Sequence, residues 1–185
     1  SSLSIKHVCL KDDGFQKAKL LNKAIHESAG DYLIFSNGDC IPRKDFIEQH
    51  LKYRLAGRFL SAGNFKLPIN ISQSITKEDI YTERCFDIKW LKKQGFRPFL
   101  KSAKLTSGVI KASLLNRLTP TTSNWNGYNT SGWKSDILAV NGFDERMQSG
   151  GEDGKLGEQL ETLGLKPKQL SYSAICLHLD HPSES

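Results

Sequence analysis

The thirteen residues Gly30-Asp-Tyr-Leu-Ile-Phe-Ser-Asn-Gly-Asp-Cys-Ile-Pro42 constrain the fold more than any other stretch of the chain. Tyr32 to Phe35 is a short apolar, aromatic-rich run between turn formers, which predicts a buried strand. Asn37-Gly38 then breaks the run and leaves Asp39 at the strand's carboxyl end. In an open α/β sheet, ligands bind beyond those ends. A carboxylate there, beside a glycine that lets a diphosphate approach the backbone, suits a divalent cation holding a nucleotide. The same residues also make an ordinary Asn-Gly-Asp turn with no chemistry.

Around this stretch the pattern alternates strand and helix. Ile5 to Leu10 reads as a short strand, closed by a turn at Lys11-Asp12-Asp13-Gly14. Ala18, Leu20, Leu21, Ala24, Ile25 and Ala29 fall at helical spacing, predicting a helix over 15–29 that Gly30 stops as a C-cap. Strand, helix, strand predicts half of a βαβ unit and a parallel sheet. A second helix opens at Pro42 and Asp45 and runs to about Ala56. His50 lies on its apolar side, where it is either a ligand or simply packed.

The spacing next predicts a strand over Arg58 to Asn64, a polar loop from Lys66, and a helix over 77–94 ended by Gly95-Phe96-Arg97-Pro98. With Trp90, Leu91, Lys92 and Lys93, that helix suits a membrane surface or a packed helix with a solvated basic end. The segment 104–117 reads equally as a helix or as a strand and turn. Asn126 to Trp133 is polar and turn-rich, followed by a short helix over 134–140 and a tight turn at Asn141-Gly142-Phe143-Asp144-Glu145. Gly150-Gly151 leads into a helix through Leu163 whose first turn holds Glu152 and Asp153, where the helix dipole favours negative charge. Tyr172 to Leu177 predicts a last core strand that delivers His178 and His181, a plausible pair of metal ligands.

With 185 residues, the chain is the size of one domain. No apolar run approaches the ~20 residues of a membrane span, and no signal-peptide pattern opens the sequence. Cys9, Cys40, Cys85 and Cys176 form no CxxC pair and read as reduced thiols of a cytoplasmic protein. The net charge of +6 is spread along the chain without a basic block, which argues against nucleic acid. It suits anionic small molecules or the inner face of a membrane instead.

In combination these segments resemble a bacterial family 2 glycosyltransferase with the GT-A fold. The order that carries the resemblance is Asn37-Gly-Asp39, Asn141-Gly-Phe-Asp-Glu145, Gly151-Glu-Asp153, then His178 and His181. Asp13-Gly-Phe-Gln-Lys17-Ala-Lys-Leu-Leu-Asn22 looks like that family's Asp-Gly-Phe-Arg-Lys-Ala…Leu-Asn segment. Gly127-Tyr-Asn129-Thr-Ser-Gly-Trp133-Lys-Ser-Asp136 is similar to its Gly-Cys-Asn-Met-Ser-Phe-Trp-Lys-x-Asp stretch. The Asn-Gly-Phe-Asp-Glu and Gly-Glu-Asp pairing also resembles galactosyltransferase C-terminal halves. The match covers the chain except about 62–104. The family's opening strands, with Pro-Thr-Tyr-Asn and Asp-Asp-Gly-Ser, have no counterpart.

The resemblance implies an α/β fold of the GT-A nucleotide-sugar transferase type, with a mixed, mostly parallel sheet flanked by helices and truncated at its N-terminus. Residues 1–185 would be one domain, the C-terminal portion of a catalytic domain. Asp39 would be the last Asp of the DxD motif, coordinating Mn²⁺ or Mg²⁺ on a UDP-linked sugar-nucleotide diphosphate, with Asn37 at the motif's first position. His181 with His178 would complete the metal site. Asp153 would be the general base and Glu152 would help hold donor or acceptor. Lys17, Asn129 and Trp133 would line the donor and acceptor sides.

The implied function is inverting transfer from a nucleotide sugar to a glycan or lipid-linked acceptor, as in lipopolysaccharide or capsule synthesis, with peripheral membrane association. A non-catalytic sugar-binding module and a nucleotidyltransferase are the competing readings. The strand at Tyr32–Phe35 is expected to expose a pairing edge, so that this piece alone binds nucleotide sugars poorly, is inactive and self-associates.

Overall fold

A computed structural model describes residues 4–11, 14, 16–97, 102–106, 109–118, 124–147 and 150–181. Asp12, Asp13, Pro98 and Pro182, which belong to expected turns and loops, lie outside them. The chain is α/β. Five strands, β1 (Tyr32–Ser36), β2 (Cys40–Pro42), β3 (Arg58–Lys66), β4 (Asn129–Trp133) and β5 (Lys166–His178), form one sheet in the order β1-β4-β3-β5-β2. The helices are α1 (Lys17–Glu27), α2 (Phe46–Tyr53), α3 (Ile69–Ser74), α4 (Lys77–Tyr81), α5 (Ile88–Lys93), α6 (Ala103–Thr106), α7 (Val109–Leu118), α8 (Lys134–Ala139) and α9 (Glu152–Thr162).

The sheet is mixed rather than mostly parallel. Only β3 and β5 run parallel; β1–β4, β3–β4 and β2–β5 are antiparallel. The expected opening βαβ unit is absent, because 4–11 carries no strand. That segment is tethered to α1 instead: Lys6 pairs with Glu27 at 3.0 Å and the Cys9 carbonyl accepts from Lys23. β1 is therefore an edge strand, and among the described residues β4 is its one partner.

Alternation along the strands divides the core. Leu33, Phe35 and Phe59 face α1, α8 and α9 around Trp125, Ile137, Phe143, Leu156 and Leu160. Leu60, Ala62, Leu170 and Ala174 face Tyr32 and Tyr53 on the other side. A third cluster joins Phe65, Ile175 and Leu177 to Ile71, Cys85, Leu91 and Phe96. Each fully buried aliphatic or aromatic side chain contributes about 1.5–3 kcal/mol of transfer free energy.

The expected long helix over 77–94 is three pieces. Thr76 and Asp79 form a capping box at α4, Glu83 takes a left-handed φ of 56°, and Asp87 caps α5 by accepting from the Lys89 amide. Local caps outcompete a continuous helix here. Leu91 is fully buried while Lys92 and Lys93 are exposed, so α5 is the packed helix with a solvated basic end. α1 ends at Ser28, extended, with its hydroxyl on the Ile25 carbonyl, so Gly30 is not the cap. The ambiguous 104–117 region contains α6 and α7.

β4 is the strand that periodicity hides. Asn129, Thr130 and Ser131 are fully buried in the sheet. Two of the three are satisfied by side chains: His50 of α2, also fully buried, meets Ser131 Oγ at 2.7 Å and Asn129 Oδ1 at 2.9 Å, while the Thr130 hydroxyl is buried without a partner among the described residues. The Asn129 amide donates to the carbonyls of Gly63 and Ala174, stitching β4 to β3 and β5.

Candidate functional site

β1 and β2 are separated by the three-residue turn Asn37-Gly38-Asp39, yet they are the first and last strands in the sheet order. Register then decides what Asp39 meets. Ser36 is paired with Asn129, and Cys40 with His178. The Leu179 amide donates to the Asp39 carbonyl at 2.9 Å, carrying the chain after β5 back over the turn. Asp39 Oδ2 consequently lies 3.0 Å from His178 Nε2 and 3.6 Å from His181 Nε2. The three side chains that the sequence suggests as ion ligands meet at one carboxylate oxygen.

Burial opposes the charge on Asp39, but the hydrogen bond from His178 and its charge outweigh that and hold the carboxyl below its ordinary range. Asn64 Nδ2 sits 3.1 Å from His178 Nδ1, and Tyr128 stacks on the imidazole at 6.2 Å between centroids. With the Asn64 amide donating, the His178 proton lies on Nε2, toward Asp39. A cation at Nε2 requires the other tautomer, with Asn64 turned to accept.

The second half of the site is built on α1 and α9. Lys17 Nζ contacts Glu152 Oε1 at 2.7 Å and Asp153 Oδ2 at 2.9 Å. Glu152 is 2% exposed. Burial pushes its pKa up, but the Lys17 bond prevails, with help from a backbone N–H, and its carboxyl lies below the ordinary range. Lys17 is shifted upward in turn: burial works against its charge, and the two carboxylates overcome it. Glu152 Oε2 and Asp153 Oδ1 are buried without hydrogen-bond partners among the described residues.

Glycine at 127 is what allows this arrangement. Its φ is +63°, and a Cβ there would lie 2.3–2.5 Å from the Asp153 carboxylate. Asn126 holds the turn by donating to the Ala62 carbonyl and accepting from the Asn129 amide. The next residue is Tyr128, stacked on His178. One short turn thus touches both the Asp153 carboxylate and the imidazole beside Asp39. The Asn22 side chain donates to the Phe143 carbonyl at 2.9 Å and accepts from the Phe143 amide at 2.8 Å. It locks the tight turn before α9 onto α1, so Asn22 and Asn141-Gly-Phe-Asp-Glu145 position the acids.

Several expected site residues lie elsewhere. Asn129 is fully buried and saturated by backbone and His50, which leaves no surface for a ligand. Trp133 pairs in register with Tyr32, at the end of β1 remote from Asp39, and its indole donates to the Leu55 carbonyl. Lys17 binds the two acids and so belongs to their side of the site. Asn37 is half-buried, and its carbonyl accepts from the Cys40 amide at 3.2 Å. His50 is a packed core residue. Comparison with known protein families and with characterised proteins found no match for the chain.

Asn64, Gly127 and Tyr128 were not singled out in the sequence, although Gly127 and Tyr128 lie in the stretch that carries the resemblance. No local pattern ties Asn64 to His178; only the β3–β5 pairing does. Among the described residues no group of three His, Cys, Asp or Glu is spaced to enclose a metal on its own. The 3.0 Å contact of His178 with Asp39 is a hydrogen bond, and the His181 nitrogen stands 3.6 Å from the same oxygen. Carboxylate with imidazole is a donor set that suits Mn²⁺, and Mg²⁺ with more water.

Proposed function

We propose that the protein is an inverting, divalent-metal-dependent glycosyltransferase, moving a sugar from a nucleotide-sugar donor to a glycan or lipid-linked hydroxyl in cell-surface polysaccharide synthesis. One observation carries this reading. An acid–imidazole cluster at Asp39 and the acid pair Glu152–Asp153 flank a single turn, Gly127-Tyr128. Transfer with inversion needs that separation of roles: a group that stabilises the departing diphosphate on one side and a base for the acceptor on the other.

Asp39, His178 and His181 would hold Mn²⁺ or Mg²⁺, which when bound supplies Lewis-acid stabilisation of the diphosphate's charge. Tyr128 restrains the His178 ring by stacking, and Asn64 sets its tautomer. On the acceptor side Lys17 fixes Asp153 through Oδ2 and leaves Oδ1 unpartnered. Oδ1 is the atom that would accept the proton as the acceptor oxygen bonds to the anomeric carbon and the carbon–oxygen bond to the diphosphate breaks. Gly127 covers that oxygen, so the acceptor hydroxyl reaches it when the turn shifts. Glu152, buried behind, is a positioning residue that shares Lys17.

The direct test is donor hydrolysis and transfer by the full-length protein against a panel of nucleotide sugars with Mn²⁺. Turnover of at least one donor, abolished by chelation, is the expected result. Metal-independent hydrolysis, or no binding of any nucleotide sugar, overturns the reading.

A further inference from the structure

At the end of the sheet remote from Asp39, one face of β3 and β5 collects cations. Leu60 packs there in one cluster with Tyr32 and Tyr53. Arg58 lies two residues before Leu60, and parallel pairing sets Lys166 beside Arg58 and Lys168 beside Leu60, so all three basic residues share that face. Contacts agree with the register. The Lys168 ammonium stands 4.9 Å from the centroid of the Tyr53 ring, and the Lys52 ammonium 5.6 Å from it. Arg54 follows α2 directly and is near enough for its charge to act on the Tyr32 hydroxyl.

These cations are uncompensated. Lys17, Lys44, Lys66 and Arg146 each pair with a carboxylate, whereas among the described residues no ion pair engages Lys52, Arg54, Arg58, Lys166 or Lys168. Glu48, one helical turn before Lys52, is the one acidic residue between Asp45 and Glu78, and 163–179 contains none. Burial and the charge of Arg58 push the Lys168 pKa down, as happens when cations crowd together without an anion. Local conflicts of this kind are expected where a ligand resolves them.

We propose that this cluster binds an acidic polysaccharide through carboxylate, sulfate or phosphate groups along the chain, as a holding site apart from the catalytic turn. The inference rests on the reading that the protein acts on a glycan. Arg58 and Lys66, the partner of His178, are the two ends of the nine-residue β3, about 25 Å apart at strand geometry. A single sugar at Asp39 does not reach the cations; a chain of several sugars does. Single-stranded nucleic acid needs open aromatic faces for its bases. Here the Tyr53 ring carries ammonium groups, and Tyr32 packs edge-on against Trp133 at 5.1 Å with its hydroxyl on Ser131 at 2.8 Å.

Calorimetry without a sugar donor tests the proposal, with long polygalacturonate oligomers and dextran sulfate as probes and neutral dextran of matching length as control. The acidic chains should bind and be released by salt, and neutral dextran should not bind. Arg58→Gln with Lys168→Gln should weaken binding by about fivefold or more. Arg54→Gln with Lys166→Gln, both at exposed positions, should weaken it comparably. Lys92→Gln with Lys93→Gln on α5 removes the same charge elsewhere and should leave it nearly unchanged. Unchanged thermal midpoints verify folding of each variant. Failure to bind either acidic chain overturns the proposal, as does equal weakening by the α5 pair, which would make net charge the cause. Neutral dextran binding as tightly as dextran sulfate also overturns it. Tighter binding to a short DNA duplex, weakened by the same two pairs, would assign the cluster to nucleic acid instead. A protein that passes these tests yet turns over no nucleotide sugar would keep its glycan site and lose the transferase reading.

Discussion

His50 and His178 are both held by an amide side chain and one further polar group, yet they do opposite work. His50 is fully buried, with its two nitrogens on Ser131 and Asn129, and the Asn129 amide is satisfied in turn by the carbonyls of Gly63 and Ala174. Burial pushes its pKa down to about 4, so it stays neutral and acts as a fixed brace. His178 is partly exposed, with Nδ1 on Asn64 and Nε2 on a carboxylate that a second imidazole also approaches. A closed network specifies structure, while an open one at a strand end is available for chemistry.

The largest effect should come from the open side. Asp153→Asn in the full-length protein is expected to lower transfer by ~10²–10⁴-fold while nucleotide-sugar binding, read by calorimetry, stays nearly intact. Equal loss of donor binding would move Asp153 to the donor side. Thermal stability should change little, since Lys17 keeps Glu152.

The closed side should respond in stability instead. His50→Leu strands the Asn129 side-chain oxygen, while Ser131 keeps its hydrogen bond to the Tyr32 hydroxyl. Denaturant unfolding should show a loss of about 1–3 kcal/mol, with any effect on metal affinity secondary to it. A stable His50→Leu protein that had lost Mn²⁺ binding would erase the distinction between the two histidines.

A smaller, pH-dependent effect follows from the same brace. Its folded pKa is depressed below the unfolded value of about 6.5, so folding favours the neutral form and stability is complete above that pH. As pH falls, the unfolded chain gains the proton first. Stability should drop by about 1 kcal/mol between pH 6.5 and 5.5 and continue falling toward pH 4. His50→Gln should flatten that slope in denaturant titrations. An unchanged slope would mean that other groups carry it.

The two regions also differed in how legible they were. Asp39, His178, His181 and the Glu152–Asp153 pair could be found because each follows a local signal: a turn at a strand end, a helix start, a terminal strand. β4 could not, because Asn129-Thr-Ser-Gly-Trp133 has no apolar alternation and its burial is purchased by a histidine far away in sequence. Asn129 and Trp133 come to the site through the motif resemblance alone, whereas β4 buries Asn129 in the sheet and carries Trp133 to the other end of β1. The opening strand failed because Ile5 to Leu10 has the right pattern but no partner among the described residues, and pairing rather than pattern makes a strand.

Mn²⁺ binding to the full-length protein in the presence of UDP, followed by electron paramagnetic resonance, tests the open site most directly. The wild type should bind one ion. Asp39→Asn, His178→Ala and His181→Ala should each weaken it, and Asn64→Ala should weaken it by ~10–100-fold through the tautomer of His178. Binding that is indifferent to Asp39 and both histidines would contradict the account.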